Sequence, residues 1–168
     1  MSMLKDPEMK EIVDGFCEES NDLCQQLEDI LDEYEENPGK IALLEQFGQI
    51  IDRIMGAAKS IDAEKTGNFC ELGKIVSYKA SQTDDMKLLE IVTAVLFDTL
   101  DILNSLLENI EKSGEEKVEG INLETFANRL KWLEEKFSHV ERASVSIDEN
   151  EPKNKQDSID QLLADLGL

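Results

Sequence analysis

The chain has 168 residues, 40% of them hydrophobic, and 38 Asp or Glu against 17 Lys or Arg give a formal net charge of -21. That is one ordinary domain with a core, plus at most a tail. So acidic a surface repels phosphate backbones and anionic lipid, which all but excludes nucleic-acid binding and electrostatic membrane docking.

The N-terminal stretch Met1-Ser2-Met3-Leu4-Lys5-Asp6-Pro7 has no apolar core, so no secretory signal is expected there. No apolar run approaches the roughly 20 residues that span a bilayer. Asp6-Pro7-Glu8 predicts a helix start: an N-cap, a proline at the first helical position and an acid in the first turn. Ile12, Phe16, Leu23, Leu27, Ile30, Leu31 and Tyr34 then form a buried stripe at helical spacing. Asn37-Pro38-Gly39 ends it. A second stripe runs from Leu43 through Phe47, Ile51 and Ile54 to Ile61. The polar stretch Asp62 to Asn68, carrying Gly67, predicts a break before a short third helix around Phe69, Leu72, Val76 and Tyr78. Ser81 to Asp85 reads as a turn with acids at a new helix N-terminus. The fourth helix, Leu88 to Ile110, is apolar over more than one stripe and belongs at the centre of a bundle. Asn122 caps a fifth helix with Phe126, Leu130, Leu133 and Phe137 inward. Residues 144–156 contain Pro152 and few apolar residues, which predicts a flexible linker. Cys17, Cys24 and Cys70 form no Cys-x-x-Cys pair, so reduced thiols in a cytoplasmic protein are expected. With a single histidine, no metal site of the chain's own is expected.

The final segment, residues 157–168, is an amphipathic island. Ile159, Leu162, Leu163 and Leu166 fall on one helical face, and Ser158 with Gln161 has the spacing of a capping box. A helix this short is marginal alone. It therefore either docks in another protein's groove or folds back on its own bundle, and the preceding linker favours the first. Gln156-Asp157-Ser158-Ile159-Asp160-Gln161-Leu162-Leu163-Ala164-Asp165-Leu166-Gly167-Leu168 resembles the extreme C-terminus of the chemotaxis phosphatase family CheZ, which docks on the response regulator CheY. The family usually ends in Phe where this chain has Leu168. A related Ile-Asp-x-Leu-Leu pattern occurs in flagellar switch proteins that bind the same regulator. The resemblance implies that Asp157, Ile159, Asp160, Leu162, Leu163, Leu166 and Leu168 bind a CheY-like receiver domain.

Residues from about Phe16 to Ser138 are similar to the histidine phosphotransfer (HPt) domain of the chemotaxis kinase CheA. Phe16-Cys17-Glu18-Glu19-Ser20-Asn21-Asp22-Leu23 resembles its first helix, and Gly56-Ala57-Ala58-Lys59-Ser60-Ile61-Asp62-Ala63 resembles the stretch around its phosphoacceptor. Lys59 stands where that family has His, Asp62 where it has Lys, and Ala63 where it has Gly. A protonated ammonium cannot attack phosphorus and then leave as an imidazole does. A carboxylate at Asp62 opposes an incoming phosphate. The resemblance thus implies the fold and a degenerate acceptor position at Lys59, not phosphotransfer. His139 reads as an ordinary surface histidine.

Glu45-Gln46-Phe47-Gly48-Gln49-Ile50-Ile51-Asp52-Arg53-Ile54-Met55 resembles the catalytic helix of CheZ. There an acid pairs with a lysine of the regulator, and a Gln four residues on orients water for attack on the aspartyl phosphate. Residues at i and i+4 share a helix face, and an amide both donates to and accepts from water. The resemblance makes Glu45 the anchor and Gln49 the catalytic residue. The alternative is an ordinary solvated face, like Asp22 and Gln26 on the first helix. Lys59, Lys65, Lys74 and Lys79 form a local basic excess that either faces a receiver's acidic pocket or offsets the acidic surface.

The expected fold class is all-α: an HPt-like four-helix bundle with an additional C-terminal helix and a flexible tail. It divides into a bundle (1–143), a linker (144–156) and a docking peptide (157–168). The expected function is binding of a CheY-like receiver and stimulation of its aspartyl-phosphate hydrolysis. A non-catalytic adaptor or sink is the alternative. Any Mg²⁺ in that reaction belongs to the receiver. The two resemblances leave the oligomeric state open between monomer and dimer.

Overall fold

The computed structural model describes residues 2–144 and 154–168, with the side chains of 2–138 and 159–168. The helices are α1 (Lys10–Glu36), α2 (Ile41–Ser60), α3 (Glu64–Ala80), α4 (Met86–Ser113), α5 (Leu123–Ser144) and α6 (Asn154–Asp165), and there is no strand among the described residues. The fold class is all-α, a helical bundle, as composition and periodicity predicted. No helix among the described residues is long and apolar enough to cross a membrane.

Local chemistry sets most of the boundaries. Asp6 does cap, its Oδ1 accepting the Glu8 N–H at 2.9 Å, but the turn it opens is a short 3-10 turn and α1 proper starts at Lys10. Asp85 accepts from the N–H groups of Lys87 and Leu88 at the start of α4. Gly114, at φ +66°, ends α4 in the left-handed conformation that glycine takes without a Cβ clash. Asn122 Oδ1 accepts the Thr125 N–H at 3.1 Å, the cap expected for α5.

The third helix departs from expectation. The break is confined to Ile61, Asp62 and Ala63, and α3 is already helical at Glu64. Gly67 does not interrupt it, because its missing Cβ is filled by the Lys59 stem; a Cβ there would lie 2.9 Å from Lys59 Cγ. An orphan donor of the first turn is satisfied from outside the helix, the Thr66 N–H donating to Glu116 Oε1 at 2.7 Å. Asp62 makes the reversal at φ +62°, a conformation short polar side chains tolerate better than others.

Helices α1 to α4 pack as a closed ring: α1 touches α2 and α4, and α3 touches α2 and α4. Gly48 faces Ser77, Ile51 faces Gly73, Asp52 pairs with Lys74, and Lys59 lies on Gly67. One number climbs as the other falls, so α2 and α3 are antiparallel. They approach closely because the contacts fall on glycines; a Cβ at residue 73 would sit 2.6 Å from Ile51 Cδ1 and 3.2 Å from Thr99 Cγ2. Helix α4 is buried along its length from Leu88 to Ile110 and meets α1, α3 and α5, the central place its broad apolar face predicted.

Helix α5 packs on α4 and reaches α3 through side chains. The Phe69 and Phe126 rings lie 6.1 Å apart, and the Lys79 ammonium lies 6.0 Å from the Phe137 ring centre. Both numbers climb together, so α3 and α5 run parallel. Helix α6 packs on both.

Three expectations are corrected here. The C-terminal peptide does not stand free: Ile159, Leu162 and Leu163 are buried against the chain's own bundle. Its helix begins at Asn154, so Ser158 lies inside it rather than capping it, and the Gln161 amide donates forward to Asp165 Oδ1 at 2.9 Å. The linker expected over 144–156 is helical at Ser144 and again from Asn154, and 145–153 lie outside the described residues. The physical reason for the first correction is burial: each fully buried Ile or Leu contributes about 1.5–3 kcal/mol relative to exposure.

Candidate functional site

Helix α2 is amphipathic because Leu43, Leu44, Phe47, Ile51, Ile54 and Ala58 all point to the core. That phase leaves Glu45 and Gln49 on the outer flank, both exposed. They form one wall of an open groove of about 330 Å³ between α2 and α3. Asp52 continues the wall one turn on, and Lys74, Ser77 and Tyr78 of α3 face it, with Ser81 and Gln82 at the end.

The groove floor depends on Gly48. A Cβ there would lie 3.1 Å from Ser77 Oγ. Ser77 Oγ in turn donates to the Lys74 carbonyl at 3.0 Å. Lys74 is the groove's cation, its Nζ 2.7 Å from Asp52 Oδ1. Both partners are about half exposed, so the pair contributes less than about 1 kcal/mol and its partners can be exchanged. The groove thus offers an acid, an amide and an ion pair in succession along two turns. An amide so placed can hold a water by both donating and accepting, and an exposed carboxylate one turn away can meet an incoming cation.

Glu45 and Gln49 are therefore brought together. Lys59 is not part of their site: ten residues further along α2 it is about 15 Å away along the axis. Its ammonium lies 3.4 Å from Glu71 Oε2 and its stem on Gly67. The basic excess seen in the sequence does not form one patch. Lys59 and Lys74 each pair with an acid, while Lys79 points inward, 6% exposed, with no hydrogen-bond acceptor among the described residues. Sequence reasoning missed the α3 side of the groove. Ser81 and Gln82 read only as turn residues, and nothing local shows that Ser77 and Tyr78 lie opposite Gln49.

Of the C-terminal positions, Ile159, Leu162 and Leu163 are buried, Leu166 and Leu168 half-buried, and Asp160 exposed. The side chains of Asp157 and His139 lie outside the described residues. The thiols are free and buried. Burial pushes Cys17 up to about 11 and Cys24 up to about 12, and it also raises Cys70, so none is a ready nucleophile. Among the described residues no three His, Cys, Asp or Glu side chains are placed to hold a metal ion.

Compared with protein-family models, curated proteins and solved structures, the chain matches none of them.

Proposed function

We propose that this chain regulates a CheY-like response-regulator receiver in chemotaxis or flagellar signalling, and that it does so as a phosphatase. The observation that carries the reading is the pairing of Glu45 and Gln49, exposed and one helical turn apart on the wall of a single open groove. The closed ring of α1 to α4 supports the HPt-like reading of the fold, and Lys59, paired with Glu71, supports the reading of a retired acceptor position. The cytoplasm is the compartment this function requires.

In the proposed reaction Glu45 anchors a lysine of the receiver, and the Gln49 amide enters its phosphorylation site. Gln49 holds a water in line with the bond to be broken. The water oxygen bonds to phosphorus as the phosphorus–aspartate bond breaks; the aspartate leaves as carboxylate with the electron pair, and the water protons end on phosphate and solvent. Positioning supplies the acceleration, as in phosphoryl transfer generally. Mg²⁺ held by the receiver would supply charge neutralisation at the phosphoryl oxygens. The C-terminal helix captures the receiver and raises its concentration at the groove.

The test is the decay of a phosphorylated CheY-type receiver in Mg²⁺ with catalytic amounts of this protein. Turnover is expected, and Gln49→Ala is expected to cost about 10²-fold or more in rate with binding retained. Unchanged decay beside measurable binding overturns the phosphatase reading and leaves the non-catalytic adaptor.

A further inference from the structure

The three side chains that bury α6, namely Ile159, Leu162 and Leu163, are among those assigned above to capture of the receiver. They cannot lie against α3 and α5 and against a partner at the same time. Self-docking and capture therefore exclude each other, whatever the partner's details.

The α3/α5 seam contains an anomaly. Lys79 belongs to α3, and its ammonium lies 6.0 Å from the Phe137 ring of α5, between the two helices on which α6 rests. It is 6% exposed and has no hydrogen-bond acceptor among the described residues. An ammonium taken from water without an anion carries a large desolvation cost, and a ring face at that distance returns only part of it. A buried position of this kind is normally filled by an apolar residue or by a paired lysine. Here an ammonium with no hydrogen-bond acceptor among the described residues lies beside the Phe137 ring.

We infer that the α3/α5 face is a receptor for the chain's own α6, that docked α6 covers Lys79, and that Lys79 thereby holds the self-docked state near balance so that α6 can be released to a partner. The docked state gains the burial of three apolar side chains. It loses the hydration of Lys79 and the freedom of the twelve-residue helix, which is marginal once released. A partner that takes the apolar face of α6 thus competes with the bundle, and its apparent affinity is its intrinsic affinity times the fraction of chains with α6 released. The partner half of the inference rests on the capture reading given above; the self-docking half does not.

The test uses the full chain and Lys79→Met, which keeps the stem and removes the charge. Hydrogen exchange at the α6 amides, measured without partner, is expected to slow by about tenfold or more in Lys79→Met. The dissociation constant for a CheY-type receiver is expected to rise by the same factor. Unchanged or faster α6 exchange in Lys79→Met overturns the role of Lys79. Slower exchange with an unchanged dissociation constant overturns the competition. If wild-type protein shows no receiver binding, the capture reading fails, and the exchange comparison still decides the self-docked equilibrium.

Discussion

Two seams of this molecule are built from opposite materials. Between α2 and α3 the helices meet across glycines, at Gly48, Gly67 and Gly73, with Ile51, Thr99, Ser77 and the Lys59 stem filling the places where Cβ atoms would be. Between α3 and α5 the contacts are long side chains, Phe69 on Phe126 and Lys79 over Phe137, and α6 rests on both helices. The first seam is tightly packed at Gly67 and Gly73, where an added Cβ would fall within 3.0 Å of a neighbour. The second is flanked by a short helix and contains an ammonium with no hydrogen-bond acceptor among the described residues. A rigid wall suits residues that must present an amide and a carboxylate in fixed register. A removable helix suits a segment that must change partners. Under the proposed function, the difference would let one bundle hold a presenting surface and a capturing segment without either compromising the other.

The sharpest way to break that contrast is to make matched truncations. Leu44 on α2 and Leu163 on α6 are both essentially inaccessible, at 0% and 1%. Leu44→Ala should cost 2–5 kcal/mol of global stability, the usual range for a core leucine. Leu163→Ala removes the same atoms from a helix that can leave by itself. Global stability should then change by less than about 0.5 kcal/mol, while α6 exchange protection is lost, because local opening limits what the whole fold registers. Urea midpoints and exchange rates measure both. Equal global losses would mean that α6 is integral to the core and that the two seams are alike. Next in size, Gly73→Val should cost about 1–3 kcal/mol by overpacking against Ile51 and Thr99. A neutral result there would show that the α2–α3 seam does have slack.

Much of the fold was legible because helical periodicity reports burial directly. The stripe from Leu43 to Ile61 and the broad apolar face from Leu88 to Ile110 are largely buried where the pattern puts them, whereas Ile12, placed in the first buried stripe, is 54% exposed. The misjudged features depend on contacts distant in sequence. Gly67 signals a break locally and is instead the seat of Lys59. The N-terminus of α3 has no cap of its own, because Glu116, 50 residues away, supplies one. The α2 half of the groove was visible as an i, i+4 pair. The α3 half was not, since no local rule gives the register that sets Lys74 against Asp52. The inward turn of Lys79 ran against every compositional expectation for lysine.

A smaller effect sharpens the rigid side. Asp62 follows the end of α2 at φ +62°. Glycine meets no Cβ penalty there, so Asp62→Gly should raise global stability by about 0.5–1 kcal/mol, net of its greater freedom when unfolded. A thermal-melt midpoint measures it, and a lower midpoint would show that the aspartate contributes more than its backbone strain costs.

The smallest expected effect is electrostatic and belongs to the outer face of α4. Burial first, and the charge of Asp98 second, hold the Asp101 carboxyl above its ordinary value. Asp98 is itself paired with Arg129 at 2.6 Å, so Asp101 lacks that cation's full benefit. A carboxyl whose folded pKa lies above its unfolded one binds its proton more tightly when folded. It leaves stability intact below the unfolded pKa and lowers it as pH rises through the folded value. Asp101→Asn should therefore be neutral at low pH and stabilising at pH 7, by less than about 0.5 kcal/mol because Asp101 is exposed and screened. Urea midpoints at pH 3 and pH 7 give the sign. A loss of stability at pH 7 would mean that the ionised Asp101 is held by a favourable partner, and the α4–α5 contact would then be charge-stabilised rather than tolerant of its acids.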